Sequence, residues 1–101
     1  MPEAAGARRA RIEATLRAAL AATHVELVDE SHLHLGHAGA ASGGGHFRAL
    51  VVSPRFEGLS RVARQRLVYA ALAEQMGGAI HALAMRTLTP DEWQRAGSTP
   101  G

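Results

Sequence analysis

HFRALVVSPRFEGLSRVARQRLVYAALAEQMGGAIHALAMRT, residues His46–Thr87, is the stretch that sets the topology. Its opening run, His46–Ser53, becomes apolar on both faces of an extended chain, which marks a strand at the centre of a sheet. Pro54 and Gly58 punctuate the exit, and Ser60 is an N-cap for a helix. That helix carries an apolar stripe of Leu67, Val68, Ala71, Leu72 and Met76, and Gly77-Gly78 ends it as C-cap glycines do. A further strand, Ala79–Thr87, sets Ile80, Ala82 and Ala84 on one face and His81, Leu83 and Met85 on the other. Strand, helix and strand in that order form a right-handed crossover, so these two strands should be parallel.

Working outward, Ile12, Leu16 and Leu20 recur every four residues between Arg8 and Ala22, with Arg9, Glu13 and Arg17 on another face. This spacing predicts an amphipathic first helix. His24–Glu30 begins as an alternating strand, Val25 and Leu27 pointing one way and Glu26 the other. The stretch HLHLGHAGAASGGG that follows has no usable period and should be a mobile loop. A loop without a helix makes the first two strands antiparallel. At the other end, Thr89-Pro90-Asp91-Glu92 matches a capping box with proline at N1, opening a short helix through Trp93. The segment GSTPG should fray, and no internal repeat is present.

Composition narrows the function. A chain of 101 residues is the size of one domain. Its 47% hydrophobic content supports a core, built on Leu, Val, Ile and Ala because only four residues are aromatic. No apolar run is long enough to span a membrane, and the arginine-bearing start has no apolar h-region, so a cytoplasmic protein is expected. Cysteine is absent, which excludes disulfide scaffolds, thiol catalysis and a self-contained Cys₄ iron–sulfur site. Lysine is absent too: all 11 basic residues are arginine, and the net charge is only +2. That excess permits nucleic-acid binding without arguing for it.

The predicted topology gathers three strand ends at one edge of the sheet, and five of the six histidines fall there. His32, His34 and His37 lie in the first loop, His46 opens the second strand, and His81 is near the start of the third. Solvated loop histidines are the plain alternative to a ligand set, but a histidine inside an apolar strand has to satisfy both ring nitrogens. Histidine is also the commonest metal ligand. No HExxH spacing marks a zinc site, and a Ser–His–Asp set drawn from Ser31 and Asp29 has no nucleophile elbow behind it. No catalytic activity is expected. The arginines offer a second candidate: Arg61, Arg64 and Arg66 in the first turns of the second helix can neutralise phosphates, or simply form its solvated face. Neither Gly58, which stands alone, nor Gly77-Gly78, which has the wrong spacing, supplies the GxxG clamp of single-strand-binding KH modules.

These residues resemble the BolA family. The likeness is carried by VELVDES (Val25–Ser31), HFRALVVSPRFEGLS (His46–Ser60), RQRLVYAALAEQMGG (Arg64–Gly78) and IHALAMRTLTPDEW (Ile80–Trp93), and more loosely by the first helix. It implies an α+β fold, a KH-like (class II) αββαβα domain with a three-stranded mixed sheet and helices packed on it. The domain would cover residues 11–95, between a flexible N-terminus, 1–10, and a flexible tail, 96–101. The resemblance implies a [2Fe–2S] cluster shared with a monothiol glutaredoxin and its glutathione, in iron–sulfur trafficking or iron sensing. None would be held by the isolated chain, expected to be a monomer. In that reading His81, in the IHAL motif, is one ligand. His34, beyond the D-E-S motif, is the second, with His32, His37 and His46 as rivals. The alternative implied is a DNA-binding transcriptional regulator of morphology and stress genes. The family often has R-H-R where this chain has Arg64-Gln65-Arg66.

Overall fold

The structure, a computed structural model, describes residues 5–30, 45–78 and 80–96. Helix α1 spans Ala5–Leu20, strand β1 His24–Asp29, strand β2 Gly45–Val52, helix α2 Arg61–Ala71, strand β3 Ile80–Leu88 and helix α3 Pro90–Arg95. Helix α1 therefore begins before Arg8, and residues 5–10, read from the sequence as flexible, are helical. The sheet order is β1-β2-β3, with β1 antiparallel and β3 parallel to the central β2. The parallel pairing expected across residues 46–87 is present.

Helices α1 and α2 pack on one face of this sheet. The four-residue spacing of α1 puts Ile12, Leu16 and Leu20 into the core, where they meet Val25 and Leu27 of β1, Phe47, Ala49 and Val51 of β2, and Val68 and Leu72. Each fully buried aliphatic or aromatic side chain here contributes roughly 1.5–3 kcal/mol. Ala21 closes α1 in the left-handed region, at φ 50, and the buried Ser53 hydroxyl donates to the Leu20 carbonyl. The same Ser53 oxygen accepts from Arg55 N–H at 3.0 Å, capping a 3-10 turn, Pro54–Phe56, that plants Phe56 in the core.

Helix α2 is shorter than its apolar stripe. Ser60 caps it as expected, accepting from Ala63 N–H at 3.1 Å, but regular helix ends at Ala71. Turns then carry Leu72 and Met76 onto the core in the same four-residue rhythm, so the stripe outlasts the helix. The chain turns back at Gly77, whose φ of 85 favours glycine, and Met76 bridges to Ile80. The thermodynamic signal was burial; the backbone met it without helix.

Helix α3 carries the full capping box. Thr89 Oγ1 accepts from Glu92 N–H at 3.1 Å, and Glu92 Oε1 accepts from Thr89 N–H at 2.8 Å. Trp93 stacks on His24, ring centroids 4.8 Å apart, and His24 shares a 2.7 Å hydrogen bond with Glu26. Val52, paired with both His24 and Leu88, is buried at this end of the outer face. Among the described residues nothing covers the rest of that face: Glu26, Val28, Arg48, Leu50, Ala84 and Arg86 line a shallow groove of about 370 Å³.

Candidate functional site

Strand β3 does not alternate as its sequence suggests. Its register against β2 advances from Gly45↔Ile80 to His46↔Ala82, so His81 is the extra residue of a β-bulge. A bulge bends its strand and re-aims one side chain, and bulges concentrate beside functional sites. Ile80 is buried, His81 and Ala82 are both exposed, and Leu83 and Met85 then turn to the core while Ala84 faces out. The even alternation expected for Ile80–Met85 is thus corrected at one residue. His81 is not a core histidine: it stands exposed at the start of an apolar strand.

His46 lies beside it. Gly45 is buried against Ile80, and His46, half-buried, follows on the outer face of β2. The two rings sit with centroids 5.3 Å apart and planes tilted by 38°. The backbone around His46 is fixed, since its carbonyl accepts from Glu30 N–H at 2.7 Å. Glu30, Phe47, Ala82, Leu83 and Ala84 complete a concavity of about 340 Å³ beside it, and the Glu30 carboxylate is turned to Arg48 at 3.2 Å. Two of the five histidines expected at this edge are therefore brought together. His32, His34 and His37 lie outside the described residues, as does Ser31. The sixth, His24, stands at the other end of β1 in its contact with Trp93.

Two neutral imidazoles are nitrogen donors for a borderline metal and supply no thiolate. Among the described residues no group of three or more His, Asp or Glu is placed to hold a metal ion. A centre built here would draw its remaining ligands from residues 31–44 or from another molecule.

The arginine set divides. Arg64 is committed to the fold: its guanidinium meets the Glu92 carboxylate at 2.7 and 3.3 Å, and also donates to the Leu59 and Thr87 carbonyls. With a side chain only 13% exposed, it is not presented to a phosphate. The Arg64 guanidinium, with the Thr89 N–H, holds the Glu92 carboxyl at a pKa of about 2, against an ordinary 4.5. Sequence reading missed this clamp, although the capping-box glutamate was its visible half. Arg61 and Arg66 are exposed on the same helix.

The model of the family described as BolA-like protein matches residues 16–92. The chain is 48% identical over 91 residues to BolA-like protein 1 of Homo sapiens, covering 90% of this chain and 64% of that one. It thus spans less than two thirds of that relative's length. It is 44% identical over 86 residues to the DNA-binding transcriptional regulator BolA of Escherichia coli, covering 85% of this chain and 79% of that one. The solution structure of BolA1 from Mus musculus superposes with a TM-score of 0.75 at 44% identity, covering 96% of this chain and 76% of that one. The chain belongs to the BolA family.

Proposed function

We propose that this BolA-family chain is the imidazole-donating half of a shared [2Fe–2S] centre, formed with a monothiol glutaredoxin in iron–sulfur trafficking or iron sensing. The observation that carries the reading is the exposed His81, re-aimed by a bulge to within 5.3 Å of the His46 ring, in a chain without cysteine. The donor set fits such a group on one side. Imidazole can ligate one iron, and the partner and its glutathione would supply thiolates to the other. His81 is the first ligand. The second is His34, as the family resemblance implies, or His46, as its place beside His81 favours. When bound, the cluster would supply one-electron chemistry at a potential raised by nitrogen ligation.

What the chain contributes is position and protonation state. The bulge fixes the direction of His81, and the Glu30–His46 backbone bond fixes the start of β2. A histidine binds metal only as the neutral ring, so acid should compete with the cluster for His81. The test is co-expression with the monothiol glutaredoxin of the same cell. A 1:1 complex should show visible absorption distinct from that of the glutaredoxin homodimer, and His81→Ala should remove the difference while leaving the fold intact. A spectrum equal to the homodimer's, indifferent to His81→Ala, contradicts the assignment.

A second reading rests on Arg61 and Arg66, exposed and without an ion pair among the described residues, and on the E. coli relative's name. In that reading the chain binds DNA through these two arginines, and Arg64 has only a structural part. Retained phosphate affinity in Arg64→Met and its loss in the Arg61→Glu/Arg66→Glu double variant would support it; the reverse pattern contradicts it.

A further inference from the structure

Strand β3 is an edge strand, and an edge offers unpaired N–H and C=O groups to any chain that can lie along it. Two internal contacts close this edge at its ends. At the start, Ile80 N–H donates to the Gln75 carbonyl at 2.8 Å and Gly77 N–H donates to the Ile80 carbonyl at 2.7 Å. At the far end, Arg64 Nη1 donates to the Thr87 carbonyl at 3.2 Å. The middle is left open. The Leu88 carbonyl turns inward to accept from Ser53 N–H at 3.0 Å. Alternation along the strand then aims the backbone groups of Ala82, Ala84 and Arg86 at β2, and those of Leu83 and Met85 outward. Among the described residues, no loop backbone or side chain is hydrogen-bonded to Leu83 or Met85.

Charge beside this opening has one sign. A groove of about 410 Å³ runs along it, lined by Arg61, Gln65, Met85, Arg86, Thr87 and Leu88. Among the described residues no carboxylate lines it. Neither Arg61 nor Arg86 makes an ion pair to a described residue.

We propose that this window accepts an added strand: an extended acidic peptide segment of a partner protein pairs with Leu83–Thr87, its carboxylates meeting Arg61 and Arg86. Strand addition gives affinity through main-chain hydrogen bonds and selectivity through flanking side chains. From Leu83 to Thr87 the edge runs about 13 Å, room for a segment of some five residues. A phosphate backbone can accept from the outward N–H groups but donates nothing to the outward carbonyls of Leu83 and Met85, whereas a peptide strand satisfies both. A second copy of this chain would bring two sets of arginines to one seam with no carboxylate between them, an arrangement that like-charge repulsion disfavours. The inference is independent of the cluster reading, because the window lies on the outer edge of β3 beyond the bulge that carries His81.

The test uses the full chain and a fluorescein-labelled peptide alternating glutamate with threonine. Saturable binding should shift the amide resonances of Leu83, Met85 and Thr87 and slow hydrogen exchange at Leu83 and Met85. The same peptide N-methylated at alternate residues should fail to bind. The double reversal Arg61→Glu/Arg86→Glu should weaken binding roughly tenfold, since two exposed ion pairs each add modestly to affinity. Equal binding of the N-methylated peptide overturns the proposal, and so does a shift map elsewhere. Two further outcomes overturn it in favour of other occupants. One is a single-stranded oligonucleotide that perturbs these amides where the peptide does not. The other is concentration-dependent protection of Leu83 and Met85 without peptide, the sign of self-pairing.

Discussion

Replacing Glu92 by glutamine isolates the one strongly shifted carboxyl among the described residues. The carboxylate accepts from the Arg64 guanidinium at 2.7 and 3.3 Å and from Thr89 N–H at 2.8 Å, and these contacts bring its pKa down from 4.5 to about 2. A folded-state pKa below the unfolded one means stability that is present above the ordinary value. It is lost as pH falls toward 2. The full displacement corresponds to roughly 3 kcal/mol at about 1.4 kcal/mol per tenfold change. The Glu92 side chain is 35% exposed, however, so solvent screening reduces this. About 1–2 kcal/mol is the reasoned contribution. Glu92→Gln keeps one oxygen to accept from Thr89 N–H and Arg64 Nη1, and loses both the charge facing Arg64 and the second oxygen that accepts from Arg64 Nη2. Urea unfolding of both proteins across pH 2 to 7 is the assay, because every other carboxyl titrates alike in the two and cancels in the difference. The wild type should lead by about 1–2 kcal/mol at neutral pH, with the gap closing as pH falls from 4.5 toward 2. A gap that does not change with pH would refute the assignment of the shift to this ion pair.

Other expectations follow from single contacts. Ser53→Ala removes both the acceptor for Arg55 N–H and the donor to the buried Leu20 carbonyl, and should cost about 1–3 kcal/mol by chemical denaturation. Ala21→Gly should be neutral or stabilise by up to about 1 kcal/mol, read as a rise in melting temperature, since Ala21 sits at φ 50 where glycine has no Cβ penalty. Phe56→Ala empties a fully buried site and should cost about 3–5 kcal/mol, while His81→Ala, at an exposed bulge, should stay within about 0.5 kcal/mol of the wild type in unfolding.

Burial periodicity and turn chemistry carried most of the fold. Ile12, Leu16 and Leu20 announced α1, the apolar run after His46 announced a central strand, and Thr89-Pro90-Asp91-Glu92 announced α3, capping box included. Topology followed because one connection was helical and the other was not. What the sequence did not disclose was set by tertiary geometry. The bulge at His81 is a register event between β2 and β3, and no local pattern encodes it. The end of α2 at Ala71 was hidden because the turns after it keep the spacing of Leu72 and Met76. Arg64 read as one of three basic residues on a helix face; only its distance to Glu92, remote in sequence, assigns it to the fold. The meeting of His46 and His81 was legible, because a parallel pair brings both strand starts to one edge. His34 falls outside the described residues, so the second ligand stays with the proposal rather than the fold.

Nitrogen ligation by this chain is the centre of the account, and pulsed electron paramagnetic resonance of the reduced glutaredoxin complex addresses it most directly. The chain is labelled with ¹⁵N-histidine, and the glutaredoxin is left unlabelled. Strong ¹⁵N couplings of directly bound imidazole should appear from two histidines in the wild-type complex and from one in His81→Ala. Their absence in the wild-type complex, or a spectrum unchanged by His81→Ala, would contradict the account.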